Sequence, residues 1–129
     1  MNYDNVLNIL LNEFPAFKEF LVKEYIDDVL YLVFSYSVYP YVIKMLENKA
    51  CQPVLRRLFA FFERMATCND REVASLLLCS ILEKLGDDPH ILKKAGSYMG
   101  EKTKRLSYEA ETHLGRINMN YEEYVQVYF

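Results

Sequence analysis

The sequence contains no tryptophan and few residues that break regular structure, with four glycines and four prolines among 129 residues. An all-β fold needs many tight turns, and those turns depend on Gly and Pro. No hydrophobic run approaches the roughly 20 residues that span a bilayer. The start, MNYDNVLNILLNEF, lacks the positive region and cleavage site of a secretory signal. We therefore expect long helices in a cytoplasmic protein without membrane contact.

Groups that could carry chemistry are also scarce. The three cysteines, Cys51, Cys68 and Cys79, form no CxxC pair, which argues against a zinc site or a disulfide framework and favours free thiols. His90 and His113 are far apart and belong to no HExxH or Cys/His grouping. Phosphate-binding and nucleophile motifs are missing as well. The sequence therefore predicts no catalytic residue, no metal, no cofactor and no small-molecule substrate, hence no enzyme.

Basic charge is in short supply, particularly in the first part of the chain. The net charge is −3 overall. Residues 1–48 carry seven acidic and three basic side chains, a balance of −4, whereas the remainder carries eleven acids and twelve bases. A nucleic-acid surface needs clustered Lys and Arg, so this balance argues against nucleic-acid binding. A basic protein partner is compatible with it.

What the sequence does have is apolar surface, 52% of its residues, arranged with helical periodicity in nearly every segment. A single domain of 1–129 is expected, folded as an all-α, irregular bundle of six or seven helices or as a helical-repeat-like packing. The predicted helices cover 3–13 with Asn2 or Asp4 as N-cap, a segment after Pro15, 27–34, a segment from Pro40, 53–66, 69–85, 89–98 and 101–114. A break is expected at Ser35, Tyr36 and Ser37.

The helix over 69–85 is the most apolar of these. Asn69 or Asp70 is its expected N-cap, and Gly86 is its expected stop. We expect this helix to be buried on nearly all sides, with Cys79 as core filling. The tail, 116–129, is a C-terminal extension whose pattern fits a helix and a strand almost equally well.

Tyrosines cluster in one part of the chain, beside two carboxylates. Tyrosine is common at protein interfaces because its ring packs while its hydroxyl bonds to water or a partner. Neighbouring carboxylates could attract Lys or Arg of a basic partner. The alternative is that these tyrosines simply cover the core. The predicted partner-binding residues are Asp27, Asp28, Tyr31, Tyr36 and Tyr39, with Glu122, Glu123 and Tyr124 as a second patch.

Several short motifs resemble those of a family of small helical bacterial proteins. They are Phe59–Phe62–Glu63, Asp70–Val73, Glu83–Leu85–Gly86 and Met99–Gly100–Lys102–Thr103–Lys104. The resemblance covers about residues 12–114, and most matching positions are core and cap positions. Members look like immunity proteins of polymorphic-toxin and contact-dependent growth inhibition systems. The resemblance implies an inhibitor that binds a cognate protein toxin, expected to be a basic nuclease domain, and blocks it by stoichiometric occlusion.

Two other functions stay open on the residues alone. The chain could be a small helical adaptor or regulator that binds a peptide or helical protein unrelated to toxins. It could also be a metal protein or enzyme that uses His90 or His113, which is the weakest of the three hypotheses.

Overall fold

A computed structural model describes residues 1–21 and 30–129 of the chain. These residues contain seven α-helices and no β-strand, which confirms the prediction of an all-α bundle. Short 3₁₀ turns at Pro15–Phe20 and Lys49–Cys51 connect some of the helices. The helices are α1 Val6–Glu13, α2 over 30–46, α3 Gln52–Thr67, α4 over 71–85, α5 Pro89–Gly96, α6 Glu101–His113 and α7 Tyr121–Tyr128.

The long helix α3 is the centre of the bundle. It packs against α4, α6 and the second half of α2. Its buried side chains recur every three or four residues, which is the spacing that places them on one side of a helix. Phe59 and Phe62 meet edge to face with ring centres 5.1 Å apart. The buried residues of α3 are Leu55, Leu58, Phe59, Phe61, Phe62 and Met65.

The break predicted at Ser35–Ser37 is wrong, because α2 continues through a π-helical turn. The helix consists of Leu30–Val33, a π turn at Phe34–Val38 and Tyr39–Leu46. Pro40 lies just after the wide turn. A proline has no N–H, and its ring crowds the carbonyl four residues earlier, so the wider turn gives that carbonyl room. The two helices predicted on either side of Ser35–Ser37 are therefore one helix with a local widening before Pro40.

A second π turn, Leu78–Leu82, interrupts α4 between Arg71–Leu77 and Glu83–Leu85. The two π turns pack against each other. Asp70 is the N-cap, and its carboxylate accepts a hydrogen bond from the Glu72 backbone N–H, as predicted. The expectation that α4 is buried on nearly all sides is wrong. Cys79 is half-buried and Ser75 is exposed, because nothing among the described residues covers this face.

Two of the motifs that carried the family resemblance, Phe59–Phe62–Glu63 and Met99–Gly100–Lys102–Thr103–Lys104, meet at a junction between α3 and α6. The Glu63 carboxylate accepts hydrogen bonds from the backbone N–H groups of Lys102 (3.1 Å) and Thr103 (2.9 Å) and from the Thr103 hydroxyl (2.8 Å). It therefore caps α6 from another helix. A Cβ at Gly100 would come within 2.5 Å of the Glu63 carboxyl carbon, so a larger residue here would push the carboxylate away from α6. These motif residues build the fold.

Both ends of the chain are tied to the bundle. The tail forms helix α7, which answers the helix-or-strand question, and packs on α5 and α6. At the other end, α1 proper begins after Asn5, and the turn before it is capped by Asn2, one of the two predicted residues. The Asn2 and Asn5 side chains each accept a hydrogen bond from the other's backbone N–H. Of the helices formed by residues 1–21 and 30–129, none is sufficiently long and apolar to span a membrane.

Candidate protein-binding surface

Three tyrosines of α2, Tyr31, Tyr36 and Tyr39, form what we call the tyrosine face. Tyr31 is 42% exposed and Tyr36 is 50% exposed, which is unusual for such large rings, whereas Tyr39 is half-buried. Tyr31 lies beside the first half of α4, and the other two lie beside its end. The predicted tyrosine patch is therefore at the surface, and it follows α4 along its length.

Lys84 of α4 connects the tyrosine face to the rest of the bundle. Its ammonium nitrogen lies 4.8 Å from the centre of the Tyr36 ring and 5.7 Å from the centre of the Tyr39 ring. Both distances allow cation–π attraction. The Tyr39 hydroxyl donates a hydrogen bond of 3.0 Å to the Lys84 backbone carbonyl. One cationic side chain thus already uses the ring faces that a basic partner would use.

Two carboxylates after α4 complete this surface. Partial burial raises the pKa of Tyr39, and the negative charges of Asp87 and Asp88 raise it further. Asp88 is also the predicted N-cap of α5 and accepts a hydrogen bond from the His90 backbone N–H at 2.9 Å. The sequence predicted Asp88 only as a cap, because its closeness to Tyr39 is a tertiary contact without a local signal. The predicted Asp27 and Asp28 lie outside the described residues.

In the second predicted patch, on α7, two of the three residues are exposed and one is buried. Glu122 and Glu123 are exposed in the first turn, after the N-cap Asn120. Tyr124 is wrong as a partner-binding residue, because its side chain is fully buried between α7 and α6. Its hydroxyl lies 2.6 Å from the Ser107 hydroxyl, and burial raises its pKa. Helical spacing alone left open which side of α7 faces the bundle.

Tyr121 takes the outer position that was predicted for Tyr124. The Arg105 guanidinium carbon lies 4.4 Å from the centre of its ring. Its hydroxyl donates a 3.2 Å hydrogen bond to Glu101 of α6. Burial raises the pKa of Tyr121, and the Glu101 carboxylate adds to that increase. The α7 surface therefore has its own aromatic and charged cluster, in which Arg105 of the protein itself supplies the positive charge.

Sequence reasoning missed an ionic cluster around Arg116, which follows α6. The Arg116 guanidinium donates hydrogen bonds to the Glu111 carboxylate at 2.9 Å and to the Glu83 carbonyl at 2.8 Å, and it pairs with Asp87. The Glu111 side chain is only 5% exposed, and burial raises its pKa although Arg116 opposes this. The Gly86 backbone packs directly against the pair. Because the guanidinium already occupies the carboxylates, we interpret this cluster as a junction of the fold.

The histidines offer little chemistry. Both His90 and His113 are exposed, and they lie on different helices. Among the residues that the structure describes, no group of three or more His, Cys, Asp or Glu side chains is placed to hold a metal ion. The Cys79 thiol has its pKa raised by burial and by the nearby Glu83 carboxylate, which disfavours the nucleophilic thiolate.

Comparisons with known proteins give a family without an assigned activity. No curated protein matches the chain, and neither does any solved structure. A family model described as "Domain of unknown function (DUF7674)" matches residues 7–115, a range that includes the tyrosine face and ends before α7. The chain belongs to this DUF7674 family.

Proposed function

We propose that this protein is an immunity protein that acts in the cytoplasm by binding a cognate bacterial toxin and covering its active site or substrate path. In this proposal the protein catalyses no reaction and needs no cofactor. The family resemblance of its cap and core motifs supports the proposal, and so does a tyrosine-rich surface beside carboxylates. The toxin would be a basic nuclease domain, since an enzyme that holds phosphates carries Lys and Arg.

The exposure of Tyr31 and Tyr36 is the observation that carries the proposal. Large aromatic side chains with a polar end supply much of the binding energy at protein interfaces. Here two of them point outward from one helix, and Lys84 lies over the ring of the second, Tyr36. A partner that buries the two rings gains apolar contact, while the phenol groups keep hydrogen-bonding capacity.

Charge supports the same proposal. The balance of −4 in residues 1–48 would attract a basic domain at long range and speed its association. At close range, the exposed Asp88 carboxylate, which Arg116 does not contact, could pair with a cation that replaces Lys84 over the Tyr36 ring. Raising the salt concentration should therefore slow association more than it speeds dissociation.

The test is co-expression with the reading frame directly upstream, followed by co-purification and measurement of affinity. Tyr36→Ala should weaken binding by at least ~30-fold, the effect of an interface hot spot of ~2 kcal/mol. Val127→Ala on α7 is the matched control, since Val127 is 51% exposed, like Tyr36, and should leave affinity unchanged. If Tyr31→Ala and Tyr36→Ala both bind like the wild type, the tyrosine face is not the interface. Asp27→Lys with Asp28→Lys tests the remaining predicted acids.

A helical adaptor unrelated to toxins is the second candidate, and it is favoured by the face of α4 that the described part of the chain leaves uncovered. Two neighbouring cavities lie on this face and could receive a helix from another protein. Toxicity separates the two functions. An immunity protein should restore growth of cells that express the upstream gene product, whereas an adaptor should have no effect on growth in that assay.

A further inference from the structure

The face of α4 that residues 1–21 and 30–129 leave uncovered carries a groove. This groove shares only Tyr31 with the tyrosine face. One cavity, of about 540 Å³, lies between α4 and α6 and is lined by Leu78, Cys79, Tyr108 and Thr112 among others. A second, of about 360 Å³, is lined by Tyr3, Tyr31, Leu76 and Cys79 among others. Cys79 lines both cavities, so they are neighbours on this face of α4. We call the two together the α4 groove.

The groove follows from the way α4 is built. Glu72, Ser75, Cys79 and Glu83 recur at intervals of three or four residues, so they lie along one side of the helix. This stripe extends over eleven residue steps, on the order of 16 Å, or about three helical turns. The π turn at Leu78–Leu82 includes Cys79, which lines both cavities, and such wide turns often occur at functional sites.

The walls give the groove a mixed apolar and acidic character. Its floor contains Leu76, Leu78 and the protonated Cys79 thiol, and tyrosine rings stand at both ends. Three carboxylates, those of Glu72, Glu83 and Glu109, line it, against one guanidinium, that of Arg71. A ligand complementary to this surface has an apolar side for the floor and positive charges at its edges.

We propose that the α4 groove binds a basic amphipathic helix of the protein partner. Its apolar side chains pack against Leu76, Leu78 and Cys79, and its Lys or Arg side chains face Glu72, Glu83 and Glu109. An amphipathic helix in an apolar groove is a common mode of protein recognition. Tyr31 belongs to both the groove and the tyrosine face, so one partner can cover both. The inference deepens the proposed function and rests on it for the identity of the partner.

Two synthetic peptides test this on the full chain carrying Cys51→Ser and Cys68→Ser, so that Cys79 is the one remaining thiol. One is an 18-residue amphipathic helix of Leu and Lys, and the other has Glu in place of every Lys. Saturating Leu/Lys peptide should slow alkylation of Cys79 by iodoacetamide at least fivefold. The Leu/Glu peptide should slow it less than twofold. Fluorescence anisotropy of labelled peptides measures the binding itself.

Charge reversal provides the matched controls. Glu83→Lys with Glu109→Lys should abolish the protection of Cys79. Glu19→Lys with Glu47→Lys changes the total charge equally at two exposed residues that line neither cavity, and it should preserve the protection. The groove inference is overturned if the Leu/Lys peptide leaves the alkylation rate unchanged, or if both charge reversals abolish protection alike. Failure of the wild type to co-purify with the upstream gene product overturns the proposed function instead, whatever the peptides do.

Discussion

The α3–α6 junction and the tyrosine face each centre on one charged side chain between two helices, and they use it differently. The Glu63 carboxylate accepts three hydrogen bonds from Lys102 and Thr103, and the Thr103 side chain is fully buried. The Lys84 ammonium lies over two tyrosine rings, one of which is half exposed. Directional hydrogen bonds at a partly buried position fix the first contact. The second is a ring-face contact at the surface that another cation could replace.

This contrast predicts opposite behaviour in two measurements. Substitutions at the junctions should lower the free energy of unfolding and leave partner affinity intact in the protein that remains folded. Substitutions on the tyrosine face should do the reverse. The three predictions that follow concern the junctions, where the largest effects on stability are expected.

Gly86→Ala should have the largest effect. The new Cβ would lie 1.6 Å from a Glu111 carboxylate oxygen and 2.6 Å from Arg116, so the buried ion pair has to move. We expect a loss of about 3 kcal/mol in the free energy of unfolding, as for other overpacked sites, measured by urea denaturation. Gly115→Ala is the control, because Gly115 has φ +71° and no atom within 4 Å of a new Cβ. It should cost only about 1 kcal/mol for the left-handed backbone. Equal losses would mean that the Arg116 cluster rearranges around the new methyl group at little cost in free energy.

Glu63→Ala should come next, with a loss of about 1.5 kcal/mol, because the first turn of α6 loses its acceptor. Glu63→Gln keeps one carbonyl oxygen in place and should lose less than the alanine variant. Urea denaturation with circular dichroism measures both. If the two variants lose equally, the charge of Glu63 matters more than its hydrogen bonds, and the comparison with Lys84 has to be restated in electrostatic terms.

Glu111→Gln should have the smallest effect, visible as a pH dependence. Burial raises the folded-state pKa of Glu111 above its ordinary 4.5, so the folded protein holds this proton more tightly than the unfolded chain does. The wild type should therefore lose stability relative to the glutamine variant as the pH rises from 4.5 through the raised pKa. Urea denaturation at several pH values between about 4 and 7 measures this. A difference that stays constant or grows in favour of the wild type would contradict the prediction.

Local signals predicted the helical fold well. Asp70 and Asp88 are caps in the structure because an N-cap needs only a short polar side chain two or three residues before its N–H partner. Helix α3 starts beside Pro53 and keeps its apolar stripe, as expected from spacing alone. Such features depend on residues within one helical turn, which the sequence displays directly.

Features that depend on distant residues were not predictable. The π turn before Pro40 preserves a helix that local rules would interrupt, and it does so while packed on the second π turn. Tyr124 fits an outward or inward position equally until α6 is in place beside it. The approach of Asp87 to Tyr39 likewise requires α2 and α4 to be adjacent. The sequence thus predicted that tyrosines and carboxylates form the candidate surface. Which of these residues are exposed and adjacent depends on how the helices pack.

The cap that Glu63 provides has a consequence for the order of folding. The N–H groups of Lys102 and Thr103 find their acceptor on a side chain about 40 residues earlier, so α6 gains its complete first turn only after docking on α3. Helix nucleation is unfavourable in isolation, and α6 has no side-chain cap of its own at Gly100. An α6 peptide should therefore be largely unfolded alone. In the whole chain, the late formation of α6 would couple the C-terminal segment to the rest of the molecule in one cooperative transition.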